Sequence, residues 1–267
     1  MSLTCRRERG LTVVELVFAL GLLAVVMTAA GRLLLNQKRL YRELGQRADL
    51  NDNLRAGAAI LTADLWSADA REGDLLAIGP DSIRVRAERR FAVVCGASGA
   101  DLWMWKSLSF GVRDLAPGDS LLVYAGPDSA WQGGVVTSGP TSAVCPDSTP
   151  AERMGVTLAG PMPAAGTPVR GFEVVTYRSY RASDGAYYLG LRDAGALQPL
   201  AGPLVPGGLL LTFFDSAGAV TSDGRAVSAV RIRVRARSAE PVTRRGVTAV
   251  LDDSVVTWVT LRNNRHD

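Results

Sequence analysis

The chain has 267 residues, 47% of them hydrophobic and 21% charged, so most of it can bury a core, as one large domain or two small ones. Its formal net charge is +4, and Arg6, Arg7 and Arg9 outweigh Glu8 by two, so the remainder carries only +2. A balance that close to neutral gives no reason to expect nucleic-acid binding.

Residues 1–10 form a short basic leader that ends in Gly10. The next 21 residues, Leu11 to Gly31, carry one charge, Glu15. A helix of that length spans roughly 31 Å, about the hydrocarbon thickness of a bilayer, so 11–31 reads as a transmembrane helix. Leu33, Leu34 and Leu35 extend the apolar run past Arg32, whose long side chain can snorkel to the interface. A carboxylate inside such a segment is costly and points to function.

Three readings compete for this stretch. A cleavable signal peptide would use Thr28-Ala29-Ala30 as its small-residue cleavage site, but its apolar core is normally shorter and lacks a carboxylate. A plain single-span anchor leaves Glu15 unexplained as well. The third reading starts from Gly10 followed by Leu11-Thr12-Val13-Val14-Glu15-Leu16. This run resembles the cleavage and methylation signature of type IV prepilins and type II secretion pseudopilins. In that family a dedicated aspartyl peptidase cuts after the glycine on the cytoplasmic side, the new N-terminal amine is methylated, and the fifth mature residue is glutamate. Counted from Leu11, the fifth residue is Glu15. Leu11 stands where phenylalanine or methionine is commoner.

The resemblance implies cleavage after Gly10, N-methylation of Leu11, and a Glu15 that pairs with the N-terminal amine of a neighbouring subunit. It implies as partners the prepilin peptidase and methylase, major and minor pilin or pseudopilin subunits, and the inner-membrane assembly platform. The expected location is the inner membrane, in a single pass, with the head outside the cytoplasm. Basic residues alone do not orient the span, because Arg32, Lys38, Arg39, Arg42 and Arg47 follow it.

Residues 32–72 continue the helix as an amphipathic segment. Leu40, Leu44, Ala48, Leu54, Ala58, Leu61 and Leu65 recur at three- or four-residue steps with Asn51 as the one polar break, with charges on the other faces and Gly73 as a stop. A helix running from Leu11 to about Arg71 would measure roughly 90 Å. Gly21, Gly31, Gly45 and Gly57 are soft points, each costing about 1 kcal/mol.

Residues 73–267 read as a β-rich head. Candidate strands are 75–78, 82–88, 91–95, 102–106, 120–124, 155–158, 172–181, 186–192, 209–214, 228–237 and 254–261. The stretch from Gly126 to Pro168 reads as long loops with one or two strands. Ser183-Asp184-Gly185 and Asp215-Ser216-Ala217-Gly218 read as hairpin turns. Strict alternation over Val230-Arg231-Ile232-Arg233-Val234-Arg235 buries one face and presents arginines on the other, as an anion-binding patch or, more commonly, a solvated face. Trp103 and Trp105 flank Met104 and would share one side of a strand, in the core or as a partner contact. The fold class is therefore α+β, a long N-terminal helix packed on a mainly antiparallel β-rich head. The order of Phe172–Arg178, Tyr187–Arg192, Gln198–Ala201, Leu209–Asp215 and Val255–Asn263 resembles PilW-type minor pilins and J-type minor pseudopilins.

Cys5 lies in the leader, leaving Cys95 and Cys145 as either one disulfide of an oxidising compartment or two unrelated buried thiols. The only histidine is His266, and no phosphate-loop, dinucleotide or HExxH motif is present. No catalytic residue, metal ligand set or cofactor is expected. Asp252-Asp253, and Asp215 with Asp223, are acidic pairs that fit turns better than calcium, since EF-hand spacing is missing. The expected function is a minor pilin or pseudopilin that helps initiate or cap a filament. The alternatives are a secreted or anchored enzyme acting through carboxylates, and a binding module on a single-span anchor.

Overall fold

The structure is a computed structural model and describes residues 12–125, 130–193, 195–244 and 247–261. Helix α1 runs without a break over Val13–Trp66, 54 residues. Among the described residues the strands are β1 (Leu75–Ile78), β2 (Ser82–Ser98), β3 (Asp101–Trp105), β4 (Phe110–Gly111), β5 (Ser120–Ala125), β6 (Ala130–Val144) and β7 (Pro150–Leu158), then β8 (Pro168–Arg181), β9 (Tyr187–Arg192), β10 (Gln198–Phe214), β11 (Ala229–Arg237), β12 (Val242–Arg244), β13 (Val247–Ala249) and β14 (Asp252–Thr260). Their pairings are antiparallel. The fold is the expected long N-terminal helix with an antiparallel β-rich head.

Two compact units emerge. Among the described residues, one holds 12–49 together with Ser238–Leu251; the other holds Leu50–Arg237 and 252–261. In the first unit, Val13 to Ala30 is exposed all around. The excursion Ser238–Leu251 contains the small β12–β13 sheet, and its Glu240 N–H donates to Gln46 Oε1 at 3.3 Å.

In the second unit the strands do two things. β2 pairs with β3, β3 with β7, β7 with β6, β6 with β5, β5 with β8, and β8 returns to β2. Six strands thus close a ring of hydrogen-bonded neighbours, which leaves them no open edge. Its filling is an apolar cluster that includes Val94, Leu102, Met104, Leu121, Val136, Met154 and Val169. From β8 the sheet then opens outward through β9, β10 and β11 to β14. Here the buried side is lined by Val175, Tyr177, Leu189, Leu209, Leu211, Val230, Ile232 and Val234. The helix stripe Leu50, Leu54, Ala58, Leu61 and Leu65 is buried too. Gly57 marks how closely helix and sheet approach: a Cβ there would lie 2.8 Å from Ala201 Cβ and 3.2 Å from Leu189 Cδ2.

Three elements differ from the sequence reading. The helix ends at Trp66 rather than near Arg71. Asp69 and Asp74 explain the difference, because their carboxylates capture the backbone N–H groups of Glu72 and Asp69 in place of helical acceptors. Segments 82–88 and 91–95 are one strand, β2, with a bulge between Glu88 and Arg90. β6 fills much of a stretch read as long loops with one or two strands; Gly139 and Pro140 sit where its register shifts, a place that tolerates them.

Candidate functional site

At the start of α1, Thr12 and Glu15 cap each other. The Thr12 backbone N–H donates to Glu15 Oε2 at 3.1 Å, the Thr12 hydroxyl contacts the same oxygen at 3.2 Å, and the Glu15 N–H donates to Thr12 Oγ1 at 3.3 Å. This is a capping box, and it satisfies backbone donors that a helix start leaves without partners. Its Thr-x-x-Glu spacing is visible in the sequence as Thr12-Val13-Val14-Glu15. Gly10 and Leu11 lie outside the described residues. Behind Glu15, α1 is long and apolar enough to cross a bilayer, and none of its most apolar window is buried. That is consistent with single-pass anchoring, and a signal sequence would look the same.

Near the other end of α1 the head holds a buried ionic cluster. Asp64 projects from the apolar stripe and takes both nitrogens of Arg89, at 2.8 and 3.2 Å, and the Tyr177 hydroxyl at 2.5 Å. Arg89 also donates to Glu173 at 3.0 Å. Burial alone would lower the Arg89 pKa, but the carboxylates of Asp64 and Glu173 more than reverse it, and the net direction is upward. Burial, helped by the negative Asp64, pushes the Tyr177 hydroxyl well above the usual tyrosine range. Beside them, Arg113 binds Asp119 at 2.6 Å and, with the Ala116 N–H, holds that carboxyl below its ordinary value.

The bulge in β2 makes this possible by letting adjacent arginines serve different partners. Arg89 meets the helix, while Arg90 donates to Asp114, Glu152 and Ser109. A third arginine, Arg170, bridges Asp74 at 3.1 Å and Glu88 at 2.8 Å. Each of these arginines faces two carboxylates, and the pairs tie together elements far apart in the chain.

Cys95 and Cys145 are joined by a disulfide, with Cα atoms 5.8 Å apart and 50 residues of separation. Trp103, Trp105, Ala143 and Ala151 pack around it, and the Trp105 indole N–H donates to Asp147 at 3.1 Å. Met104 points the other way, into the ring filling. Asp215 accepts from the N–H groups of Ala217 and Ala219, and Asp223 accepts from that of Arg225, so both serve turns. Among the described residues, no three His, Cys, Asp or Glu side chains converge where a metal ion would sit. Comparison of the chain with protein families, curated proteins and solved structures returned no match.

Proposed function

We propose that this chain is a minor pilin or pseudopilin, inserted by its N-terminal helix into an inner-membrane filament that it helps to initiate or cap. The observation that carries the reading is Glu15, the lone charge of a bilayer-length helix and the fifth residue after Gly10. Two features support it: α1 begins at this residue pair and stays exposed over its apolar length, and a β-rich head follows on the same chain. In lipid the Glu15 carboxylate either protonates or pairs with a cation, and a methylated N-terminal amine of a neighbouring subunit would supply that cation at a fixed axial position. The capping contact is compatible with that role, since the hydrogen bonds found at Glu15 use Oε2. The partners would be the prepilin peptidase and methylase, the other pilin or pseudopilin subunits, and the assembly platform.

Intact mass of the mature protein tests the reading. A chain starting at N-methylated Leu11 is expected. A start at Gly31 would identify a signal peptide, and an uncut Met1 a plain anchor; either result removes the proposal.

A further inference from the structure

The six-strand ring removes the edges of the strands it contains, but the open part of the sheet ends on β14 (Asp252–Thr260), which pairs only with β11 among the described residues. This edge is nine residues long and contains no proline. Edges of this kind are normally blunted, because a row of unpaired N–H and C=O groups is a template for another strand.

The face beside that edge has a definite chemistry. Across β10, β11 and β14 the register sets Thr212, Arg231 and Trp258 in one row, Leu210, Arg233 and Val256 in the next, and Arg235 beside Ser254 in a third. Arg231 is occupied: its guanidinium lies 5.6 Å from the ring centres of both Phe214 and Trp258, and it contacts Thr212 Oγ1 at 3.3 Å. Arg233 and Arg235 are exposed and have no ion-pair partner among the described residues. Val256 and Trp258 are also exposed, at 51% and 56%. The one carboxylate on this side of β14 is Asp252, at the far end opposite Arg237.

We propose that the free edge of β14 takes an added strand from a partner protein, an extended segment with acidic side chains at alternate positions. Backbone pairing supplies affinity in strand addition, and alternate side chains supply specificity. Alternate residues on a strand repeat about every 7 Å, so carboxylates at every second position match the arginine ladder in period as well as in sign. Val256 and Trp258 offer apolar contacts between the charges. A polynucleotide would meet the arginines but leave the backbone edge unpaired, so the peptide is the better occupant. The proposal rests on the head alone and stands however the N-terminus is processed.

The test uses the full-length protein in detergent micelles and fluorescence anisotropy of a labelled nonapeptide of alternating Glu and Val. Three comparisons accompany it: the same peptide with Lys for Glu, the Glu peptide N-methylated at every second residue, and an oligothymidylate. The Glu peptide is expected to bind, the Lys and N-methylated peptides to lose binding, and Arg233→Glu with Arg235→Glu to weaken it about tenfold. Failure of the Glu peptide to bind overturns the proposal, as does unchanged binding of the N-methylated peptide or unchanged binding to the charge-reversed protein. Binding of the oligothymidylate in place of the peptide would reassign the face to polyanions.

Discussion

Asp64 shows how much one buried carboxylate can fix. It sits on the helix between Leu61 and Leu65, where an apolar residue would suit the stripe, and it engages two donors of Arg89 and the Tyr177 hydroxyl. Asp64→Ala strands Arg89 with Glu173 alone and is expected to cost about 3 kcal/mol in urea unfolding. Tyr177 adds a pH signature. Its folded-state pKa is raised, so the unfolded chain loses that proton first. Its contribution is complete below about pH 10 and falls as pH rises above it. Tyr177→Phe should flatten the alkaline limb of a stability profile. At the other end of the helix, the proposed pilin or pseudopilin role predicts that Glu15→Ala leaves membrane insertion intact while impairing incorporation into filaments, measured by subunit content of sheared filaments. Glu15 was conspicuous in the sequence because nothing else in its segment is charged. Asp64 was inconspicuous because its partners lie 25 and 113 residues away and no local pattern announces them.

Among the elements, β11 was legible because its alternation is strict, and α1 because its apolar residues recur at helical spacing on either side of Asn51. β2 was cut in two by Arg89-Arg90, a pair that reads as a break until the bulge gives each arginine its own carboxylates. One or two strands were expected between Gly126 and Pro168, but the bounds of β6 were hidden by Gly133, Gly134, Gly139 and Pro140, which mimic loop composition. Gly57, read as a soft point in the helix, is instead a contact. Gly57→Ala should destabilise the head despite better helix propensity, because its Cβ meets Ala201. Gly45→Ala meets nothing within 4 Å and should stabilise by up to about 1 kcal/mol. The disulfide spans 50 residues, from β2 to the end of β6. Cys145→Ser is expected to cost about 4 kcal/mol on the chain-entropy argument, checked by unfolding with and without reductant.

At the scale of the whole molecule, the head combines two ways of burying a sheet: closure on itself, and cover by a helix. Closure is not legible in the sequence because it depends on β8 returning to β2, a pairing from Ser82↔Arg178 to Val93↔Pro168 between segments far apart in the chain, which composition does not encode. The two regions should differ in opening. Hydrogen exchange is expected to be slowest in the ring strands β2, β3 and β7 and fastest along the outer edge of β14, where amide groups have no strand partner.

The excursion Ser238–Leu251 carries a practical consequence. Arg237 and Asp252 are directly paired as the last rung of β11 and β14, and just beyond them the Ser238 N–H donates to Leu251 O at 2.7 Å while the Leu251 N–H donates to the Ser238 hydroxyl. The chain therefore leaves and re-enters the sheet through a cinched neck. Such a neck is a natural splice point: a fluorescent reporter or affinity handle inserted beyond Ser238 should leave the sheet register undisturbed, so the protein could be followed in living cells without touching either terminus.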